Sequence, residues 1–556
     1  YGPDSIYVNY ATGVEARLSE NVWMRRLLGL TGGWLSYYGS YSSGATTMAT
    51  PYTYGTNETG NSRSDWINSK LIILIGWNPA DTTFGTNSSW YLKRAREAGA
   101  RIYVIDPIYT NTAIALADEW IPIRPTTDNA LFDAMAYVMV QENLQDQAFL
   151  DRFCLGFDED HMPDGITPGN SYRSYLLGLG PDRTVKTPEW AEAITGIPRT
   201  RIEKLAREYA CSKPAALIQG FGSQRHANGE QSVRGGTILA AMTGNVGISG
   251  GWASGKGMSA SSHYIAAVPT PNPNPARISH FIWPEAIRRG HEMGPSDGVR
   301  GANRLGSDIK MIFNLGGNCL VNQHSDINST TEILADTSKV ELIVASELFM
   351  TASARYADII LPSDNMYERD NIAVPWQFGD EVLFMNKVVD PPAECRNGYD
   401  WISDLAGRLG ADVHKLFTEG RTLEDWLRWL VNETASRNPG FLDLDKLRAK
   451  GCHRWLEQKP HIAFRKQITD PENNPFPTPS GKIEIFSSRL WQLGQPLQIP
   501  AVPQYIAVTE GPQDSLRQQY PLQCIGPHIK RRVHSSFDNS AWMKEVEPQA
   551  LWISPG

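Results

Sequence analysis

The chain has 556 residues, 41% hydrophobic and 20% charged, with 52 Lys plus Arg against 60 Asp plus Glu, a net charge of −8. That length suits about two to four domains with sizeable cores, and the acidic balance argues against a nucleic-acid binder, which would carry a basic face. The six cysteines (Cys154, Cys211, Cys319, Cys395, Cys452, Cys524) form no C-x-x-C pair, which excludes the common zinc and iron–sulfur spacings and a disulfide framework, and no apolar run reaches the roughly 18 residues of a membrane helix.

Residues 1–65 are rich in Gly, Ser, Thr and Tyr; Val22 to Leu28 reads as a short helix, and Tyr37 to Tyr54 as a loop. Next comes an apolar run, Leu71 to Ile75, a turn Gly76-Trp77-Asn78-Pro79, a helical pattern from Ser88 to Ala98, and a second run, Ile102 to Ile105, ending at Asp106-Pro107. Strand, tight turn, helix, strand, acid outlines half a nucleotide-binding domain. The Gly-x-Gly-x-x-Gly of an ordinary NAD site is missing. Thr126-Thr127-Asp128 leads into a helix, Asn129 to Gln141, and Thr127 or Asp128 can serve as its N-cap. Thr187-Pro188-Glu189 starts another helix, Ile197 to Cys211 is amphipathic with Ile202, Leu205 and Ala206 on one face, and Ala215 to Ile218 is a strand running into the Gly-rich turn Gln219 to His226 before a helix from Glu230 to Met242. Gly250 to Gly257 nearly spells a phosphate loop, but Gly257 stands where the Mg²⁺-binding hydroxyl belongs and no apolar strand precedes it, so an NTPase is rejected.

The outline then recurs. Met311 to Leu315 is broken by Gly316-Gly317-Asn318, a helix spans Thr330 to Asp336, and Leu342 to Ala345 runs into Ser346-Glu347. The exits match: Ala117-Asp118-Glu119-Trp120-Ile121-Pro122 and Ala357-Asp358-Ile359-Ile360-Leu361-Pro362. Each copy places a Gly/Asn turn, whose backbone N–H groups can approach phosphate, after one strand, and a carboxylate, suited to a ribose hydroxyl or a guanine edge, after the next. Duplication with matching exits favours a pair of nucleotide sites over two ordinary βα units. Further on, Thr422 to Asp425 starts a helix whose Trp426, Trp429 and Leu430 stripe reads as core, Thr478 to Phe486 reads as turn then strand, and Gln495 to Pro512 as a linker. A β-rich segment from Leu522 carries His528, Lys530, Arg531, Arg532, His534 and Ser535. It could be a solvated edge; in a chain of net charge −8, cofactor phosphates account for it better. The sequence opens on Tyr1 and stops after the strand-like Ala550 to Ile553, and is expected to be an internal piece of a longer protein.

Ten segments in the order Tyr38-Gly39-Ser40-Tyr41-Ser42, Gly76-Trp77-Asn78-Pro79-Ala80, Asp106-Pro107, Arg124 to Asp128, Gln224 to Gly229, Leu315 to Asn318, Phe349-Met350-Thr351, Ala357 to Pro362, Thr478 to Lys482 and Arg532 to Ser535 carry a resemblance to a known family. The chain resembles the catalytic subunits of the molybdopterin oxidoreductases, the dimethyl sulfoxide reductase family, and within it the membrane-complex anaerobic type. The resemblance implies an α/β fold: two pseudo-symmetric dinucleotide-binding-like domains with parallel sheets, plus the start of a C-terminal pterin-binding β-barrel. The expected division is 1–65 for the active-site loop region, 66–225 and 226–480 for the two nucleotide-binding-like domains, and 515–556 for the barrel.

It also implies two molybdopterin guanine dinucleotides around one molybdenum. Gly76, Asn78, Asp106, Thr126 and Asp128, with Gln224 and Arg225, would hold one; Gly317, Asn318, Ser346, Glu347 and Thr351 the other; His528, Arg532, His534 and Ser535 would close over both. Ser42 falls where the family places the metal ligand, with Ser40 and Ser43 as rivals by position, and an alkoxide oxygen is a hard donor suited to high-valent molybdenum. The implied reaction is oxo transfer, removing oxygen from an S-oxide or N-oxide in anaerobic respiration, with two electrons and two protons releasing it as water. Tyr37, Tyr38, Tyr41 or Trp34 would donate a hydrogen bond to the substrate oxygen or simply pack. Selenate or another oxyanion is an alternative substrate, and a non-redox hydratase or transhydroxylase an alternative reaction class; a relic subunit without cofactor is disfavoured by Ser42, Asp106, Asp128 and the paired turns. A [4Fe-4S] cluster is expected in a preceding N-terminal part, with an iron–sulfur electron-transfer subunit and a membrane anchor subunit as partners at the periplasmic or extracytoplasmic membrane face. The chain departs from the family pattern at Ile108, where Arg follows Asp-Pro, and at Phe221 and Ser223, where Trp and Pro are usual.

Overall fold

The computed structural model describes residues 1–11, 16–82, 87–259, 263–324, 326–375, 380–457 and 459–553. Contacts gather the chain into two compact units, each built from separated stretches: Tyr1–Tyr41 with Ser261–Glu457, and Ser42–Ala260 with Gln458–Gly556. The chain therefore passes between units at 41/42, 260/261 and 457/458, not at the contiguous boundaries 65/66 and 225/226 expected above.

In the second unit, Leu71–Ile75 is buried along its whole length, as a strand covered on both faces must be. It pairs in parallel with Arg101–Ile105 on one side and Ala215–Gln219 on the other, Ile75 opposite both Ile105 and Gln219. Glu119–Ile121 completes a sheet ordered Glu119–Ile121, Arg101–Ile105, Leu71–Ile75, Ala215–Gln219. Helix Asp128–Gln141 is largely apolar and, apart from Tyr137 and Gln141, buried, the pattern of a helix enclosed by other layers. Arg199–Cys211 buries the stripe Ile202, Leu205, Ala206 and Tyr209, and Thr187 caps Pro188–Thr195 by accepting from the Trp190 N–H.

The first unit repeats the plan. Met311–Leu315 lies between Ile6–Val8 and Leu342–Glu347, with Ile359–Pro362 beyond, all parallel. The strand that fills the place of Ala215–Gln219 comes here from the amino terminus. The backbone bonds repeat as well. Gly76 N donates to Ile105 O at 3.0 Å and Gly316 N to Ser346 O at 2.9 Å. Asp118 accepts from Ile102 N at 2.8 Å and Asp358 from Ile343 N at 2.7 Å. The matching exits in the sequence are thus two copies of one carboxylate clasp, which ties the end of a crossover to the start of the neighbouring strand.

Two expectations need correction. Residues 37–54 are not a loop: Ser36–Tyr38 is a strand, and Gly44–Tyr54 is a helix whose Thr46, Ala49, Thr50, Thr53 and Tyr54 are buried. It packs on Gly229–Met242, with the Tyr54 hydroxyl donating to Thr237 O at 3.2 Å, and tertiary burial overrides the weak helix propensity of a Thr-rich run. The expected linker is docked in part: Ala501 and Val502 are buried, the buried Arg234 guanidinium donates to Pro500 O at 2.8 Å, and Tyr505 N donates to Asp133 Oδ2 at 3.2 Å. In the segment where the resemblance implies the start of a barrel, the described residues of 515–553 form no strand beyond an isolated bridge between Val533 and Ser536; they contain a short 3₁₀ turn, Ser515–Gln518, and helix Ala541–Val546. Leu522, Trp542, Leu551 and Trp552 stay exposed.

Candidate functional site

In the second unit the strand order reverses between Leu71–Ile75 and Ala215–Gln219, and in open α/β sheets ligands bind in the crevice at the carboxyl ends of such strands. The two exit loops meet there backbone to backbone: Gly220 N donates to Ile75 O at 2.8 Å and Gly222 N to Gly76 O at 3.1 Å. Gly76 has φ +57°, and a methyl added to it would lie 2.8 Å from Ser223 N. Only glycine allows that approach without strain.

Two carboxylates serve this crevice. Asp106 ends strand Arg101–Ile105, and Asp128 opens helix Asp128–Gln141. Burial pushes Asp106 up to about 6 against the Ile108 N–H, which donates to it at 2.9 Å, with Asp128 adding a smaller upward push. Burial likewise pushes Asp128 up to about 6, opposed chiefly by His226. Neither carboxylate has a Lys or Arg ion pair among the described residues. Beside them, His226 Nε2, Ser223 Oγ and Thr126 Oγ1 are buried without a hydrogen-bond partner, and Thr126 sits at φ +70°. Native interiors rarely leave such atoms unsatisfied. Together with glycine-lined backbone and two carboxyls ready to accept hydrogen bonds, they fit a large polar ligand of nucleotide type.

Ser42 lies at the turn into helix Gly44–Tyr54 and is half-buried. Its carbonyl accepts from Gln224 Nε2 and from Arg225 Nε, each at 3.0 Å, while Gln224 Oε1 accepts from Thr46 N at 3.2 Å. Gln224 and Arg225, expected as cofactor ligands, therefore grip the Ser42 turn. Of the neighbouring serines, Ser40 Oγ lies 3.2 Å from the Tyr10 hydroxyl, and buried Ser43 Oγ lies 2.5 Å from Lys256 Nζ and 3.3 Å from Thr47 Oγ1.

In the first unit, Gly316 turns at φ +69° after Met311–Leu315. Leu315 pairs with Ser346 as Ile75 pairs with Ile105, so Glu347 occupies the position of Asp106. Burial raises Glu347 above its usual range, the N–H of Leu348 lowers it, and buried Glu20 adds a further upward push. Several predicted residues hold the loops together. Asn318 Oδ1 accepts from Ser353 N at 3.0 Å while Ser353 Oγ accepts from Val321 N at 3.1 Å; Asn78 Oδ1 accepts from Thr112 N at 3.2 Å while Thr112 Oγ1 accepts from Ala80 N at 3.0 Å. Ser346 Oγ donates to Glu20 at 2.8 Å, and Thr351 Oγ1 accepts from Ala354 N at 3.1 Å. The Gly317 carbonyl accepts from Asn314 Nδ2 at 2.7 Å, and a methyl on Gly317 would lie 3.2 Å from Cys319 Sγ.

The C-terminal residues divide. His534 stands near His528, ring centroids 6.4 Å apart, and partial burial followed by His528 and Arg225 lowers its imidazole, which places it on the Arg225 side of the crevice. Arg532 pairs with Asp538 at 2.9 Å and Gln549 at 3.0 Å, and Ser535 is exposed; no bond among the described residues links either to the crevice. Sequence reasoning missed His226, Ser223 and Lys256 as members of the site. His226 stood inside the Gln224 to Gly229 motif and Ser223 in the Gly-rich turn before it, noted there only as a departure from the family pattern; Lys256 was dismissed together with the phosphate-loop pattern around it.

The model of the molybdopterin oxidoreductase family matches residues 1–408. The chain is 45% identical to dimethyl sulfoxide reductase DmsA of Escherichia coli (strain K12) over 573 residues, which covers all of this chain and 70% of that protein. It is 41% identical to DmsA of Haemophilus influenzae over 574 residues, with 100% and 71% covered, and 29% identical to a dimethyl sulfoxide/trimethylamine N-oxide reductase of Cereibacter sphaeroides over 581 residues, with 97% and 67% covered. Among solved structures, acetylene hydratase from Pelobacter acetylenicus shares the fold, with a TM-score of 0.69 at 23% identity over 99% of this chain and 72% of that one. The chain belongs to the molybdopterin oxidoreductase family. It is an oxidoreductase that uses a molybdenum–molybdopterin cofactor, and the twin glycine turns and buried carboxyls suit such a group. No helix among the described residues is long and apolar enough to cross a membrane.

Proposed function

We propose that this chain is the catalytic part of a molybdenum-dependent terminal reductase that removes an oxygen atom from S-oxides or N-oxides; its relatives are reductases of dimethyl sulfoxide and trimethylamine N-oxide. The observation that carries the reading is Ser42: a half-buried hydroxyl, with no cysteine before Cys154, on a turn gripped through its carbonyl by Gln224 and Arg225. A hard oxygen donor suits a metal that exchanges oxygen with its substrate. When bound, the molybdenum cofactor supplies two-electron oxo-transfer chemistry; the protein contributes binding, orientation and electrostatics.

In this reading the pterins carry guanine dinucleotides. Asp106, Asp128 and His226 hold the polar end of one, with Thr126 Oγ1 as a further donor, and Glu347 with the Gly316–Asn318 turn holds the other. Asn78 and Asn318 keep the turns in shape, Gln224 and Arg225 keep Ser42 in place, and His534 and His528 add donors beside Arg225. Arg532 and Ser535 would take part after a rearrangement of residues 528–549. A [4Fe-4S] cluster, an iron–sulfur subunit and a membrane anchor at the extracytoplasmic face supply electrons in anaerobic respiration. Full-length protein assayed with a reduced viologen dye should turn over dimethyl sulfoxide and trimethylamine N-oxide faster than selenate. Turnover of an unsaturated hydrocarbon with no electron donor would instead favour the hydratase class.

A further inference from the structure

Loop Ser254-Gly255-Lys256-Gly257 packs against helix Gly44–Tyr54 in a left-handed backbone conformation, with φ of +64°, +72° and +66° at Ser254, Gly255 and Gly257, which is strained at Ser254 and relaxed at the two glycines. A methyl on Gly255 would lie 2.8 Å from Thr50 Cγ2. The loop is pinned at every step. Ser254 Oγ and Gly255 N both donate to Gln219 Oε1, at 2.9 and 3.1 Å, from the last residue of the switch-point strand. Lys256 N donates to Thr50 Oγ1 at 2.9 Å, and Gly257 N donates to Thr59 Oγ1 at 2.8 Å. Left-handed backbone at a non-glycine residue is unfavourable and persists where the surroundings over-determine it, most often at functional sites.

What the loop delivers is one ammonium group. Lys256 is 5% exposed; its Nζ lies 2.5 Å from Ser43 Oγ and 4.6 Å from the centroid of the Phe221 ring. Ser43 is the N-cap residue of helix Gly44–Tyr54, yet its hydroxyl caps no backbone N–H of the helix; it meets the lysine at 2.5 Å and, more distantly, the Thr47 hydroxyl at 3.3 Å. Two cations thus converge on adjacent residues, Arg225 on the Ser42 carbonyl and Lys256 on the Ser43 hydroxyl, at the positive end of an 11-residue helix. Burial and the neighbouring guanidinium both work against the ammonium; an anionic centre held at Ser42 offsets both.

We propose that Lys256 is the positioning residue of the metal ligand: it clamps Ser43, fixes the Ser42 hydroxyl for the metal, and adds positive charge that makes the metal easier to reduce. This rests on Ser42 as ligand. Groups that orient a metal ligand from behind typically change affinity or activity by about 10–100-fold when removed. Positive charge nearby favours the electron-richer state, so its loss must shift the reduction potential downward.

The test uses full-length, cofactor-loaded protein and reads molybdenum per chain and the midpoint potential of the metal by EPR-monitored redox titration, with thermal melting alongside. Lys256→Met is expected to move the potential to more negative values, and Lys256→Arg to restore most of it. Ser43→Ala keeps the charge but breaks the clamp; it is expected to melt like the parent yet retain molybdenum about 10-fold more weakly against a chelator. Parental potential in Lys256→Met together with parental retention in Ser43→Ala overturns the proposal, and if Lys256→Met does not fold, parental retention in Ser43→Ala alone overturns it. Ser42→Ala separates the two claims. If it leaves the metal spectrum unchanged, the ligand reading is wrong; if it changes the spectrum while the other variants behave as the parent, only Lys256 is wrong.

Discussion

The two parallel sheets share a plan but differ in how they treat charge. Around Leu71–Ile75, two carboxyls, half-buried Asp106 and buried Asp128, stand beside three unsatisfied polar atoms. Around Met311–Leu315, Glu347 takes the matching position, Asn9 Oδ1 and Asn21 Oδ1 are buried without a partner beside the strand end, and the buried carboxylate behind Glu347, that of Glu20, is already held by Ser346, Ser363 and Trp401. One backbone solution has therefore been kept twice while the side chains diverged: the turn and its clasps are a scaffold requirement, and the carboxyl chemistry is where the two sites are individual. Ser42 and its grips belong to the unit with the richer set.

The largest expected effect breaks this comparison at the metal. Ser42→Ala should lower viologen-linked turnover by about 100-fold or more, the upper end of what loss of a metal-site group produces, whereas Ser40→Ala should stay within a few-fold of the parent by the same reasoning. Next, Asp128→Asn should lower retention of the guanine nucleotide by roughly 10-fold, since a hydrogen bond to a charged group contributes about 1.5–3 kcal/mol. Glu347→Gln, at the more exposed site, should cost less. Nucleotide released on denaturation, counted per molybdenum, checks both.

Protonation gives a third contrast. Asp106 and Asp128 have folded values near 6, above the unfolded value of about 3.9. Each takes up a proton on folding between those limits, so stability from this source is present at low pH and lost as pH rises through about 6. Cofactor-free protein should therefore gain stability on going from about pH 7 to about pH 5, by on the order of 1–3 kcal/mol. Asp133, pushed up to about 7 by burial against its Tyr175 and Tyr172 hydrogen bonds, acts in the same direction. The pair Asp106→Asn with Asp128→Asn should flatten the dependence in melting curves taken across that range. The smallest effect concerns the turns. Gly76→Ala meets Ser223 N and carries left-handed strain, while Gly316→Ala meets nothing within 4 Å; the latter should lose only the strain of about 1–2 kcal/mol and the former clearly more, as read from denaturant midpoints.

Much of this was legible in the sequence, because a strand buried on both faces prints as an unbroken apolar run and the Gly/Asn turn follows it directly. Both copies, their exits and their terminal acids could be read that way. Ile6–Val8 could not: a three-residue strand leaves no periodicity, and its partner Met311–Leu315 lies some 300 residues away. Helix Gly44–Tyr54 was hidden by its threonines, which only packing on Gly229–Met242 makes helical. Asn78 and Asn318 were found for the right turns, but their bonds to Thr112 and Ser353 depend on loops that no local pattern reports. Lys256 was invisible for a related reason: its meaning comes from Ser43, 213 residues away.

X-ray absorption at the molybdenum edge, comparing the loaded parent with Ser42→Ala and Ser42→Cys, tests Ser42 as the metal ligand most directly. One oxygen scatterer is expected to be lost in the first and replaced by sulfur in the second. Identical scattering from the metal's ligands in all three proteins would contradict the assignment.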